Sequence, residues 1–358
     1  MSAPDITPGS GSGRSGGASP DQAGAPAALR IGIAGIGMSV PAKVLTNADL
    51  EKMVDTSDEW ITTRTGIKER RVAEPGTATS ELAYPAALEA LAQARMDPAE
   101  LDLIIVGTTT PDMLFPSTAC VLQQRLGAKS AACFDLSAAC SGSVFAIITA
   151  QQFLQTRRFR NALVIGAEVL SSFIDWTDRS TCVLFGDGAG ACVLKPVSSG
   201  GILATDMGCD GAQGELLYMP GGGSKFPPSH DSIDRRLHFL QMNGADLFKV
   251  AVRRMADSAV RVVAGAGLSV EHVECFIPHQ ANIRIIEAVA KYAGMPMEKV
   301  YMNLQRYGNT SAASNLIGLY EAVKEGRVSS GDHVVLVAFG AGLTWGSILL
   351  QWQPEAAA

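Results

Sequence analysis

Cys140 in Leu136-Ser137-Ala138-Ala139-Cys140-Ser141-Gly142, His279 in Pro278-His279-Gln280-Ala281-Asn282 and Asn309 in Tyr307-Gly308-Asn309-Thr310-Ser311 are the residues whose types and settings could do chemistry. Cys140 lies between small residues, just before a helical pattern over Ser141 to Thr156. Unpaired backbone N–H groups and the positive end of a helix favour a thiolate at such a place, and a thiolate is a nucleophile. A histidine and an asparagine in two other polar, strand-ending segments could converge on that sulfur as hydrogen-bond donors to a thioester oxygen. Each residue alone has an ordinary reading, since a lone cysteine is usually a small buried hydrophobe. The combination points to acyl transfer, provided that the fold brings three distant turns together.

The elements that must do this alternate along the chain. From Arg30, apolar strands are expected over Ile31–Ile36, Leu103–Gly107, Ala132–Leu136, Ala162–Ala167 and Ala189–Lys195, with helices over Ser80–Ala94, Ser117–Leu126 and the Cys140 segment between them. Strands separated by helices imply a mostly parallel sheet covered on both faces. The order then repeats: a strand near Gly201–Thr205, a helix over Gly244–Val263, a strand at Cys275–Pro278, helices over Ile283–Ala293 and Ala312–Glu325, and strands at Val334–Phe339 and Thr344–Gln351. The Asn309 turn enters its helix as the Cys140 turn enters its own. Two such halves packed together place both turns at the carboxyl ends of central strands, where α/β folds put their sites. Residues 206–236, with Gly221-Gly222-Gly223 and Pro227-Pro228, read as a long loop, either a lid or partner surface or a tolerated insertion.

With these motifs the chain resembles the β-ketoacyl-acyl-carrier-protein synthases of type III, the priming condensing enzymes of bacterial-type fatty-acid synthesis. The resemblance runs from about Arg30 to Trp352. It rests on the segment Thr56 to Ile67, on Phe115-Pro116-Ser117, the Cys140 segment, Thr177-Asp178-Arg179, Phe185 to Gly190, His279 to Asn282, Tyr307 to Ser311 and Phe339 to Gly346. Elongating ketosynthases carry a second histidine where Asn309 stands, so Cys, His and Asn together favour the decarboxylating priming type. The resemblance implies an α/β protein with a duplicated thiolase-type fold, layered α-β-α-β-α. Residues 30–197 would form the half carrying the cysteine and residues 198–353 the half carrying histidine and asparagine, with tails at 1–29 and 354–358.

It also implies roles. Cys140 is the nucleophile, His279 and Asn309 donate to the malonyl thioester oxygen, and the backbone N–H groups of Cys140 and Ala341 form the oxyanion hole. Phe339 lines the site. Thr56, Trp60, Arg64, Arg179 and Asn282 align with coenzyme A contacts. Read by themselves, Trp60 and Arg64 pair a flat aromatic face with a guanidinium, suited to stacking a base beside a phosphate, although a solvated helix face carries such pairs too. Lys249, Arg284 and Lys291 align with a patch for the acidic helix of acyl carrier protein, with Tyr292 where some members have lysine. Phe115 aligns with a residue that crosses a homodimer interface, closes the partner's acyl pocket and restricts the primer to acetyl or short branched groups. The implied partners are an acyl-CoA, malonyl-acyl-carrier-protein and a second copy of the chain, with no metal or redox cofactor. A related acyltransferase or condensing enzyme of secondary metabolism, and a noncatalytic ketosynthase-like subunit, stay open as alternatives; the intact Cys140 counts against the second.

Composition sets the frame. Hydrophobic residues make up 47% and charged ones 18% of 358 residues, enough for a large core. The formal net charge of −6 and pI of about 5.5 argue against nucleic acid or an anionic membrane as main partner. No apolar run approaches the roughly 18 residues of a membrane span. Seven cysteines, with no Cys-x-x-Cys pair, suggest reduced thiols and a cytoplasmic protein. Residues 1–29 are rich in Gly, Ser, Ala and Pro, lack the apolar core of a secretory signal and are expected to be disordered. Gly32 to Gly37 lacks the spacing of a dinucleotide loop, and Gly186-Asp187-Gly188-Ala189-Gly190 reads as a tight turn near the active site.

Overall fold

A computed structural model gives the fold of residues 28–353. Apart from Ala28 and Leu29, the tail expected to be disordered lies outside the described residues, as do residues 354–358. Strands β1 (Ile31–Ser39), β2 (Leu103–Gly107), β3 (Ala132–Leu136), β4 (Ala162–Glu168) and β5 (Gly188–Pro196) form one sheet in the order β1-β5-β4-β2-β3. Strands β6 (Gly201–Cys209), β7 (Cys275–Pro278), β8 (His333–Gly340) and β9 (Thr344–Gln351) form a second, in the order β7-β8-β9-β6. The two correspond strand for strand, in direction as well as order. In each, the first two junctions counted from β1 or β6 are antiparallel and the next is parallel. The place of β3 in the second sheet is held by a single parallel bridge, Phe276 to Val300.

The helices around them are α1 (Asp58–Thr65), α2 (Thr79–Gln93), α3 (Thr118–Leu126), α4 (Gly142–Gln155), α5 (Gly244–Gly265), α6 (Ile283–Tyr292) and α7 (Ser314–Lys324). Helices α4 and α7 touch both sheets and each other, forming the middle layer. Accordingly, α4 is apolar almost all round, as a helix covered on every side must be. Helices α2 and α3 cover the outer face of the first sheet and α5 that of the second, while α6 packs against α5 and α1 and shares a core cluster with Phe276 and Val335. The result is the layered α-β-α-β-α arrangement.

The sheets are mixed, not mostly parallel as expected. Strands buried on both faces read as continuous apolar runs whichever way they point, so β2 and β4, buried throughout, carry no directional signal. The three residues between β8 and β9 are too few for a crossover and force an antiparallel pair. Nor is 206–236 one loop. Strand β6 extends to Cys209, a 3₁₀ segment runs over Gly211–Leu216, Leu217–Tyr218 pairs with Gln241–Met242, and His230–Asp234 is helical behind the Ser229 cap. A small antiparallel pair, Val44–Thr46 with Glu69–Arg71, escaped the sequence reading because each strand is three residues long.

Candidate active site

The Cys140 turn begins after β3 and feeds α4. Ala139 takes a left-handed backbone with φ of 47°, which re-aims the chain so that Cys140 heads the helix. The Asn309 turn does the same before α7, with Ser311 at φ 48°. The two turns lie against each other. Thr344 Oγ1 donates to Ala138 O at 2.9 Å and Ser141 Oγ to Thr344 O at 3.3 Å, which ties the cysteine turn to β9. At the end of β8, a Cβ on Gly340 would stand 2.6 Å from Cys140 N, so only glycine lets the two backbones approach this closely.

Asn309 is held from both sides of its peptide. Its N–H donates to Leu184 O at 2.8 Å, and Gly186 N donates to its carbonyl at 3.0 Å. Its side-chain Oδ1 accepts from Ser311 N at 2.8 Å, which leaves the amide NH₂ to face the cavity. This is the service of the Gly186-Asp187-Gly188 turn read from the sequence: a Cβ on Gly186 would meet Tyr307 O at 2.3 Å. The buried Asp187 carboxylate braces that turn by accepting from Ala73 N at 2.7 Å and Ser171 Oγ at 2.6 Å. His279 follows β7 and is buried, and Ser314 Oγ lies 2.6 Å from its Nδ1. Burial holds the imidazole down at a pKa of about 4, so it is neutral.

Cys140, His279, Asn309 and Phe339 line one cavity of about 140 Å³, together with Asn282 and Leu247 from the second half of the chain. Cys140 and Ala341 also line an adjoining cavity of about 290 Å³ with Thr109, Ser311, Phe185 and Leu217. The three turns therefore do converge, with the sulfur where two cavities meet. The expectation of a resting thiolate fails. Burial pushes the Cys140 thiol up to about 12, outweighing the hydrogen bonds from Ser311 and Asn309 that favour the anion. A helix end alone does not ionise a thiol buried to this extent.

The remaining predicted residues sit at the mouth or beyond it. Arg64 and Arg179 both lie over the Trp60 ring, at 4.5 Å and 5.3 Å from its centroid, and Thr56 Oγ1 is buried without a hydrogen-bond partner among the described residues. Asn282 caps α6 by accepting from Arg284 N at 2.8 Å and donates to Arg64 O at 3.0 Å, which fastens α6 to the end of α1. Arg284 reaches Thr63 O at 3.1 Å, Lys249 pairs with Asp246 at 3.3 Å, and Lys291 is exposed on α6. Phe115 lines neither cavity; it is 83% exposed, beside Leu114 at 79%. Sequence reasoning missed Ser314, Ser311, the buried Glu168 at the end of β4 and Leu217, which lines both cavities. Ser311 stood inside a recognised motif; the other three carried no local signal.

The 3-oxoacyl-[acyl-carrier-protein] synthase III family matches residues 134–211, and its C-terminal region matches residues 263–352. The β-ketoacyl-[acyl-carrier-protein] synthase III of Desulfitobacterium hafniense is 55% identical over 325 residues, covering 90% of this chain and 98% of that protein. The chain belongs to this synthase III family. The member from Caldanaerobacter subterraneus is 56% identical over the same length. Among solved structures, the synthase III of Aquifex aeolicus superposes with a TM-score of 0.83 at 51% identity, covering 90% of this chain and all of that one. The priming β-ketosynthase of the R1128 polyketide pathway superposes at 0.85 with 34% identity, covering 94% of this chain and all of that one. As a synthase III, the protein is an acyltransferase of the condensing type with the thiolase fold. No helix among the described residues is long and apolar enough to cross a membrane.

Proposed function

We propose that this site joins an acyl-CoA primer to malonyl-acyl-carrier-protein by decarboxylating condensation, giving β-ketoacyl-acyl-carrier-protein. The observation that carries the reading is a cysteine Sγ shared by two cavities, one bearing His279 and the Asn309 amide, the other bearing Ala341. In the first half-reaction, Cys140 attacks the thioester carbon of the primer. The backbone N–H groups of Cys140 and Ala341 receive the oxyanion, coenzyme A leaves, and the acyl group occupies the second cavity.

In the second half-reaction the malonyl thioester oxygen accepts from His279 Nε2–H and Asn309 Nδ2. In this reading Ser314 Oγ, 2.6 Å from His279 Nδ1, is the donor of that pair, which puts the imidazole proton on Nε2, and the Ser311 N–H on Asn309 Oδ1 turns the amide nitrogen inward. The enolate left by carbon dioxide is stabilised without a charged neighbour and attacks the acyl-Cys140. Phe339 beside it favours loss of the carboxylate by denying it solvation. At the mouth, Trp60, Arg64, Arg179 and the unpartnered Thr56 hydroxyl take the nucleotide of coenzyme A, and Asn282 the arm below it. Lys249, Arg284 and Lys291 receive the acidic carrier protein. The active unit is a homodimer in the cytoplasm, with Phe115 closing its partner's acyl cavity and confining primers to acetyl or short branched chains.

The test is incubation of the purified protein with a panel of acyl-CoAs and malonyl-acyl-carrier-protein, with enzyme and products weighed by mass spectrometry. Acyl mass on the Cys140 peptide followed by a β-ketoacyl carrier protein is the expected result. No acyl gain, or a product that keeps the malonyl carboxylate, overturns the reading.

A further inference from the structure

Cys120 and Cys133 bring two thiols together away from the active-site cavities. Their Sγ atoms lie 3.4 Å apart, and both residues are half-buried. Each is placed by its element. Cys120 is the third residue of α3, in the turn behind the Ser117 cap, whose Oγ accepts from Cys120 N at 3.2 Å and donates to Cys120 Sγ at 3.2 Å. Cys133 is the second residue of β3, and because side chains alternate along a strand it shares a face with Asp135. That face is turned to α3: Asp135 accepts from Thr118 N at 2.7 Å and Ala119 N at 2.8 Å, which holds the head of the helix against the strand. The two sulfurs meet beside these bonds. Cys140, Cys182, Cys192 and Cys275 are buried and Cys209 is exposed, and no second cysteine sulfur is hydrogen-bonded to any of them among the described residues.

We propose that Cys120 and Cys133 are a site of reversible two-electron oxidation by a hydroperoxide, closing to a disulfide that fastens α3 to β3. Cys120 Sγ, as the thiolate, attacks the terminal oxygen of the peroxide. The O–O bond breaks, the sulfur is oxidised to a sulfenic acid, and the reduced oxygen leaves as alcohol or water after taking a proton. Cys133 Sγ then attacks the sulfenic sulfur. The S–S bond forms as the S–OH bond breaks, and the departing hydroxide leaves as water with the Cys133 proton. In sum, two thiols and one hydroperoxide give a disulfide, an alcohol and water, and a dithiol reductant returns both electrons and both protons by exchange.

The geometry needs little change. The sulfurs must close from 3.4 Å to about 2.0 Å, within reach of small side-chain rotations while the Asp135 bonds keep helix and strand in place. The order of attack follows from the surroundings. Burial pushes the Cys133 thiol up to about 11, with its contact to Cys120 adding to the rise, so the first attack falls to Cys120 and Cys133 resolves. The nucleophile of acyl transfer is the poorer target, since Cys140 is 6% exposed and burial pushes its thiol up to about 12. The two cysteines stand 13 positions apart, so the disulfide closes a short loop and restricts the unfolded chain. A disulfide that forms and reverses suits a reducing compartment, where a permanent one does not.

The experiment is addition of hydrogen peroxide in small molar excess to the reduced full chain, quenching with a thiol-alkylating reagent under denaturing conditions, and mass mapping of the peptides. The expected product is a peptide pair joined through Cys120 and Cys133, lighter by two hydrogens than the reduced pair, with the remaining cysteines alkylated and both thiols restored by dithiothreitol. Cys133→Ser is expected to stop at a Cys120 sulfenic acid that dimedone traps, and Cys120→Ser to lose the cross-link. The cross-linked wild type is expected to melt several degrees above the reduced protein. Oxidation of Cys140 or Cys209 while the pair stays alkylatable would overturn the proposal, as would a sulfinic acid at Cys120 without the cross-link, or a disulfide between two chains. A cross-linked chain that melts no higher than the reduced one overturns the fastening of α3. The wild-type map decides the matter if either variant does not fold.

Discussion

Ser314 Oγ lies 2.6 Å from His279 Nδ1, and in the proposed mechanism it donates there and so leaves the imidazole proton on Nε2. Ser314→Ala removes that constraint, and decarboxylation of malonyl-acyl-carrier-protein is expected to fall about tenfold while acylation of Cys140 stays near wild type. His279→Ala removes the donor itself, and about a hundredfold is expected to go from the same step. Assaying carbon dioxide release and acyl mass gain separately checks both; equal damage to the two half-reactions would contradict the assignment. The same histidine makes the fold sensitive to acid. Its pKa is about 4 in the folded protein against 6.5 as an ordinary histidine, so between those values the unfolded chain binds a proton that the folded chain refuses. Stability from this site is therefore level above about pH 6.5 and declines towards pH 4, by on the order of 3 kcal/mol in all. Melting temperatures of wild type and His279→Gln measured across that range should show wild type losing more on acidification.

At the scale of elements, the site depends on backbones that nearly touch. Gly340→Ala would drive a Cβ to within 2.6 Å of Cys140 N, at the proposed oxyanion hole, so β8 and the Cys140 turn must part. Acylation is expected to drop by on the order of a hundredfold, the scale of losing one oxyanion donor, with the acyl-enzyme yield at fixed time as the measurement. The sequence carried the existence of most elements because period and caps are local: Ser57 caps α1, Ser117 caps α3, and β3, β7 and β9 lie over the residues expected for them. Cys140, His279 and Asn309 were legible for the same reason, each sitting in a short motif. Strand direction was not, since β2 and β4 are apolar on both faces. Glu168 was not either, because its meaning lies in Ser311, 143 residues away in the chain. The protonation of Cys140 depends on burial, which no neighbour in sequence reports.

For the molecule as a whole, a net charge of −6 must still admit an acidic carrier protein. Basic residues at the mouth offset it locally, and Arg284→Glu with Lys249→Glu is expected to raise KM for malonyl-acyl-carrier-protein, more at low salt than at high, with acetyl-CoA acylation little changed. Arg284 also holds Thr63 O, so a matched loss on both substrates would mark it as a strut of the mouth instead. The larger question is what covers the segment between β2 and α3. Met113, Leu114 and Phe115 are exposed by 47%, 79% and 83%, and β3, to which the start of α3 is tied by Thr118 N on Asp135, ends its sheet with no further strand paired to it among the described residues. Three large apolar side chains in a row next to a free strand edge are a liability for a lone subunit. In a dimer built across that edge, Phe115 would reach the partner's acyl cavity and limit its depth. Phe115→Thr is then expected to admit longer acyl-CoAs while acylation by acetyl-CoA survives, because the ring is traded for open volume at the far end of the cavity. Sedimentation together with acylation rates across a chain-length series tests this: a monomeric wild type, or a dimer whose primer profile is unchanged in the variant, would remove Phe115 from the site.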